Sequence, residues 1–170
     1  TVGEKAAEVC GLTVKHAAMP VMPMGSVADY VVSCVQHLTV GYRLDMAASA
    51  GRIFADLHDA EPRYLCGSKD FFVHLAQQPL AQGRTNRAWR RCLGLNRLDC
   101  ALAFVNEPVT DVVDSYRNMG VDLRPVFGAV EAGSFVTMQA KDDVQAETLG
   151  KPLPGVELKA DKSDQLLVKT

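Results

Sequence analysis

The chain is poor in the features that would settle a function at a glance. Its five cysteines, Cys10, Cys34, Cys66, Cys92 and Cys100, form no CxxC pair and are too sparse for a small disulfide scaffold. A structural zinc site of the usual spacing is therefore excluded, and a reducing, intracellular compartment is the simpler setting, with the location otherwise open. Aromatic residues make up 6% of the chain and include a single tryptophan. Net charge is also small, a formal −2, which gives no whole-surface attraction for nucleic acid or an anionic membrane. The longest mostly apolar stretch, residues 17–40, is broken by Asp29, Gln36 and His37 and carries Pro20 and Pro23, so no transmembrane segment is expected. No initiating Met, export segment or transit segment is read at the start. Repeats, heptads and low-complexity tracts are also lacking.

What is present is an ordinary globular composition. The 170 residues are 48% hydrophobic and 22% charged, enough apolar material for one main core. After a Pro-punctuated turn from Val21, residues 27–38 read as a buried helix stopped by Gly41. Short apolar runs at residues 42–46, 63–66, 101–105 and 123–127 read as strands, separated by helix-length segments at 47–57, 70–78 and 109–119. Residues 77–96 give no clear pattern. Strands alternating with helical crossovers predict an α/β fold, a parallel sheet flanked by helices. Beyond Gly133 the character changes. Residues 135–138 suit extended structure, Pro152, Pro154 and Gly155 form a bend, and residues 156–159 and 166–168 suit strands of a small β-rich element. The expected organisation is an N-terminal extension at 1–20, an α/β core at 21–133, and a connector with a partial β subdomain at 134–170.

Four groups of side chains invite a chemical reading. Arg84, Arg87, Arg90, Arg91 and Arg97 occur with no acidic residue before Asp99, and Trp89 lies among them. Such a field suits a phosphate or an acidic protein, or equally a solvated helix face whose arginines surround a buried Trp89; specific nucleic-acid binding is not expected. Asp56, His58, Asp59 and Glu61 cluster in sequence but share no helix face, so an exposed helix end explains them without a metal. The cysteines have no adjacent base and read as small buried hydrophobes. Finally, FGAVE at 127–131 directly follows a strand, where open α/β folds place ligands. Glu131 there suits a magnesium ion, while Gly128 and Gly133 equally suit a tight turn.

FGAVEAG at 127–133 resembles the YGxTE segment of the adenylate-forming acyl-CoA synthetase family, particularly its long-chain branch. GKPLPGVELK at 150–159 resembles that family's GxPLPGxExK segment, QLLVK at 165–169 its following GELLVRG strand, and MPMGSVADY at 22–30 its LPLSHxAER segment. The resemblance implies the α/β N-terminal domain of such a synthetase followed by the start of its small β-rich subdomain, covering the middle of a full enzyme. It implies that Gly128, Glu131 and Asn106 occupy cofactor-binding positions, with Glu131 as the magnesium ligand.

The departures from the pattern are informative. Ser26 stands where the family has His, and Asp29 near the usual Glu. Phe104 and Val105 occupy a GGA-like position, followed by Asn106, and Phe127 replaces Tyr. Val130 replaces the Thr that helps bind ATP phosphates, and the phosphate loop, the ribose-gripping Asp and the C-terminal domain with its Lys do not occur in this sequence. Aligning a carboxylate with the α-phosphate of ATP and stabilising the departing pyrophosphate needs several groups at once. The expectation is therefore a noncatalytic structural or protein-interaction subunit, working with a protein partner or larger complex and needing no cofactor. The alternative is one part of a split ATP-dependent acyl-CoA synthetase, completed by a partner and using ATP and magnesium.

Overall fold

The computed structural model describes residues 1–78, 85–141, 147–163 and 165–170. Its centre is a seven-stranded sheet in the order β2-β1-β3-β4-β5-β6-β7, with a separate β8–β9 hairpin. The strands are β1 Ala17–Val21, β2 Arg43–Leu44, β3 Tyr64–Ser68, β4 Cys100–Phe104, β5 Leu123–Phe127, β6 Thr137–Met138, β7 Lys151–Pro152, β8 Glu157–Ala160 and β9 Leu166–Lys169. The pairs among β1 to β5 are parallel, and β6 and β7 add an antiparallel edge. The expected α/β fold, a parallel sheet flanked by helices, is present, the antiparallel β6–β7 edge is an addition to it, and the small β element follows in the chain.

One neighbour relation differs from the sequence expectation. The strands from Arg43 and Tyr64 do not touch, because β1 lies between them. β1 was not among the expected strands, and it contains Pro20, which cannot donate to a ladder. Asp45 N donates to Ala18 O, so the even-numbered backbone groups of β1 face β2, and β2 ends at Leu44. Pro20 therefore turns its missing N–H toward a side where the ladder has already stopped, and no bond is lost.

The segment set apart at 1–20 belongs to this core. Helix α1, Val2–Val9, opens on a capping box between Thr1 and Glu4 and buries Ala6 and Ala7 completely. Helix α2, Val27–Tyr30, runs on through a π-helical stretch, Val31–Gln36, into α3, His37–Val40. Gly41, at φ 80°, ends it as expected. Gln36 is fully buried: its amide donates to Gly3 O at 2.9 Å, its carbonyl accepts from the Tyr64 hydroxyl at 3.3 Å, and the Tyr42 hydroxyl, which donates to Val32 O at 2.6 Å, lies 3.5 Å from it. One polar side chain so ties α1, the π-helical stretch and two strand ends together without an unpaired group on its amide.

The remaining helices are crossovers: α4 Ile53–Ala60, α5 Lys69–Ala76, α6 Asn86–Cys92 and α7 Thr110–Asn118. Val113 and Tyr116 on α7 are buried, and Gly120, at φ 76°, turns the chain into β5. Apolar clusters lie on both faces of the sheet. One gathers Ala6, Val32, Tyr64, Leu102 and Phe135; the other gathers Leu57, Phe72, Trp89, Tyr116 and Leu123. At the far end Pro154 and Gly155, the latter at φ 87°, make the bend from the sheet into the hairpin. The sheet itself continues past residue 133, through β6 and β7, before that bend.

Candidate functional site

The C-terminal ends of parallel strands carry the sequence's strongest chemical signal, so the site is built from there. β5 stops at Phe127 and the chain makes a 3-10 turn, Val130–Ala132, closed by Ala132 N and Ser134 N donating to Ala129 O at 3.0 and 2.9 Å. Gly133, at φ 77°, reverses the chain, and Val136 N donates to Phe127 O at 2.9 Å to start β6. Gly128 sits against this return: a Cβ there would overlap the Ser134 carbonyl. The need for glycine at 128 is met within the chain, by the close approach of the turn to itself.

Glu131 points away from this packing. It is exposed, beside the exposed Val130, and makes no side-chain hydrogen bond or ion pair with any described residue. Asn106, in the bend after β4, is exposed as well. Among the described residues no group of three or more His, Cys, Asp or Glu side chains is arranged to hold a metal ion. Glu131 and Asn106 thus stand at neighbouring strand ends without a shared cluster around them.

The bulky substitutions have defined places. Phe104 meets the fully buried Phe135 ring edge-on, with centroids 5.1 Å apart, and Val105 is buried. Lys69, which follows β3, reaches Glu107 in the loop after β4 at 2.7 Å. That hydrogen bond, with the attraction between the charges, holds the Glu107 carboxyl below the usual carboxylate range and the Lys69 ammonium above its own. Both charged groups face solvent, so the pair ties the start of α5 to the loop after β4 more than it stabilises the fold. The pair was not among the sequence candidates; the one signal for it is that Lys69 directly follows β3 and Glu107 comes three residues after β4.

Ser26 and Asp29 act on their own helix. Ser26 Oγ accepts from Asp29 N at 3.1 Å as the N-cap of α2, and the buried Asp29 carboxylate accepts from Ser33 Oγ at 2.9 Å. Around His58, Asp56 is occupied by Ala48 N at 2.8 Å and Arg52 Nε at 3.2 Å, and His58 Nδ1 meets Asp59 at 3.2 Å. Glu61 forms the left-handed cap of α4 at φ 41°. These four side chains are not gathered into one site. Cys66 and Cys100 are buried in the core. Burial pushes the Cys66 thiol up, and a hydrogen bond with Cys100 together with burial does the same to Cys10, the opposite of nucleophile activation.

The arginine segment divides in two. Trp89 is core, 5% exposed and edge-on to Tyr116 at 5.6 Å. Asn86 Nδ2 donates to Asn118 O at 2.6 Å and Arg90 Nη1 to Gly120 O at 3.2 Å, so both close the C-terminal end of α7. Arg87, Arg91 and Arg97 are exposed and pair with no described acidic residue. Arg84 lies outside the described residues.

Comparison with known proteins places this geometry in a familiar frame. No protein-family model and no curated protein matches the chain. Solved structures do. O-succinylbenzoate Coenzyme A synthetase (MenE) from Bacillus subtilis, in complex with ATP and magnesium ion, superposes with a TM-score of 0.75 at 14% identity, over 97% of this chain and 33% of that one. A benzoate CoA ligase from Burkholderia xenovorans LB400 gives 0.76 at 15% identity, over 95% and 32%. Coronafacic acid ligase from Pectobacterium brasiliense gives 0.72 at 17% identity, over 98% and 34%. The chain has the fold of part of an adenylate-forming ligase and spans about a third of the length of these structures. Among the described residues no helix is long and apolar enough to cross a membrane.

Proposed function

We propose that this chain serves as a noncatalytic structural or protein-interaction subunit built on an adenylate-forming ligase frame. The observation that carries the reading is the composition of the ends of β4 and β5. Phe104 packs on Phe135, Val105 is buried, and Val130 stands beside a solitary Glu131. Lys69, the cation that directly follows β3, is engaged by Glu107. Adenylate formation depends on donors and cations held where charge develops on the α-phosphate and pyrophosphate. Apolar side chains in those places supply volume but no compensation of charge, and Glu131 alone brings a magnesium ion one carboxylate. In this reading no cofactor is resident, and the frame acts through its surface.

Calorimetric titration with ATP and magnesium tests this directly. No saturable binding is expected up to about 1 mM nucleotide. Saturable binding that disappears in Glu131→Ala, or when magnesium is omitted, would contradict the reading.

A further inference from the structure

Positive charge is concentrated between α5 and β4. Residues 84–97 hold five arginines and no acidic residue, while the other 13 Lys and Arg lie with all 20 Asp and Glu elsewhere, a formal +5 set against −7. Part of this segment has a structural use, since Arg90 and Asn86 cap α7. Arg91 also sits in the last turn of α6, where the helix dipole favours a cation. Arg87 has no such role. It lies in the first turn of α6, where the dipole disfavours positive charge, and one turn before Arg91, an i,i+4 arrangement of like charges that weakens a helix. Neither has an acidic partner among the described residues. Arg97 lies in the loop entering β4, at the opposite end of the parallel strands from Gly128.

From these features we infer that Arg87, Arg91 and Arg97 form a docking surface for a carboxylate-rich segment of a protein partner. Side chains one helical turn apart leave the helix with Cβ atoms about 6 Å apart, a spacing shared by carboxylates one turn apart on a helix or two residues apart on a strand. Charge complementarity selects the partner, and the surroundings select against other polyanions. Trp89, the one ring in the segment, is buried and offers no face on which a base could stack. α6 turns Trp89 into the core and Leu93 is buried just after it, leaving little apolar surface to insert into a lipid layer. The inference rests on the interaction-subunit reading, yet it is measured separately from adenylation, so either can fail without the other.

The test is fluorescence anisotropy with a labelled hexaglutamate peptide on the full chain, alongside a labelled DNA duplex and phosphatidylserine vesicles. Arg87→Glu/Arg91→Glu is expected to weaken peptide binding by roughly tenfold or more, and Arg87→Gln/Arg91→Gln by a smaller factor, with both effects fading as salt rises. Circular dichroism establishes that each variant is folded; if charge reversal unfolds the chain, the glutamine variant carries the comparison. Unchanged peptide affinity in a folded variant overturns the inference, as does tighter binding of the duplex or the vesicles than of the peptide.

Discussion

Gly128→Ala is expected to lower the melting temperature by roughly 6–12 °C, the consequence of about 3 kcal/mol lost in a 170-residue chain. The cost is steric. A Cβ at 128 would overlap the Ser134 carbonyl, and Ser134 is backbone rather than the flexible end of a side chain. It cannot easily retreat: its N–H is held by Ala129 O at 2.9 Å, and the chain just beyond it is held by the Val136-to-Phe127 hydrogen bond at 2.9 Å. Ser134 itself already sits at φ 68°, a left-handed conformation unfavourable for a residue with a side chain. Gly51 provides the control, because a Cβ there meets nothing within 4 Å. Gly51→Ala should change stability by less than about 0.5 kcal/mol. Thermal melts followed by circular dichroism compare the two, and equal midpoints would show that the 128–134 turn opens readily.

Trp89→Ala is expected to cost about 3–5 kcal/mol, the range for removing a large ring from a packed interior. Trp89 is 5% exposed and contributes to a line of edge-on rings: it meets Tyr116, Tyr116 meets Phe72 at 5.5 Å, and Phe72 meets Phe71 at 5.3 Å. Tyr116 is also held by its hydroxyl, which donates to Phe72 O at 2.7 Å, so the cavity left by Trp89 cannot be filled by a simple swing of its neighbour. Urea denaturation reads the loss as a fall in the midpoint at constant slope. A near-wild-type midpoint would return Trp89 to the role of a surface ring, available for stacking.

Much of the fold was legible because burial and secondary structure coincide in short runs. Tyr64–Ser68, Cys100–Phe104 and Leu123–Phe127 are strands buried along most of their length, and their mainly apolar character, interrupted at Arg124, identifies them without neighbours. β1 was hidden by Pro20, whose penalty depends on where β2 stops, a fact about another strand. β2 is only two residues long, although the surrounding sequence suits a longer strand. The π-helical stretch leaves no sequence trace either. Gln36 reads as a polar interruption, and its burial is explained only by Gly3, Tyr42 and Tyr64 arriving from three other places.

The candidate site was legible to a similar depth. A glycine after a strand end marks a tight turn, and that turn is present at Gly128. The group it accommodates, the Ser134 carbonyl, depends on the reversal into β6. Lys69 and Glu107 lie 38 residues apart, and no local pattern joins them. Ser26 and Asp29, by contrast, are a capping pair three residues apart whose helical role can be read from spacing alone.

In the proposed reading the ends of β4 and β5 do not support adenylation. Where several positioning contacts are missing, at a few kcal/mol each, turnover falls by many powers of ten even if weak binding survives. Mass-spectrometric detection of acyl adenylate or acyl-CoA measures this most directly, with the purified chain incubated with ATP, magnesium, a fatty acid and coenzyme A. Pyrophosphate release is not a substitute, because trace hydrolases generate it. The expected result is no acyl adenylate and no thioester above the enzyme-free blank, for the wild-type chain and for Glu131→Ala alike. Product formed by the wild-type chain and lost in Glu131→Ala would contradict the claim.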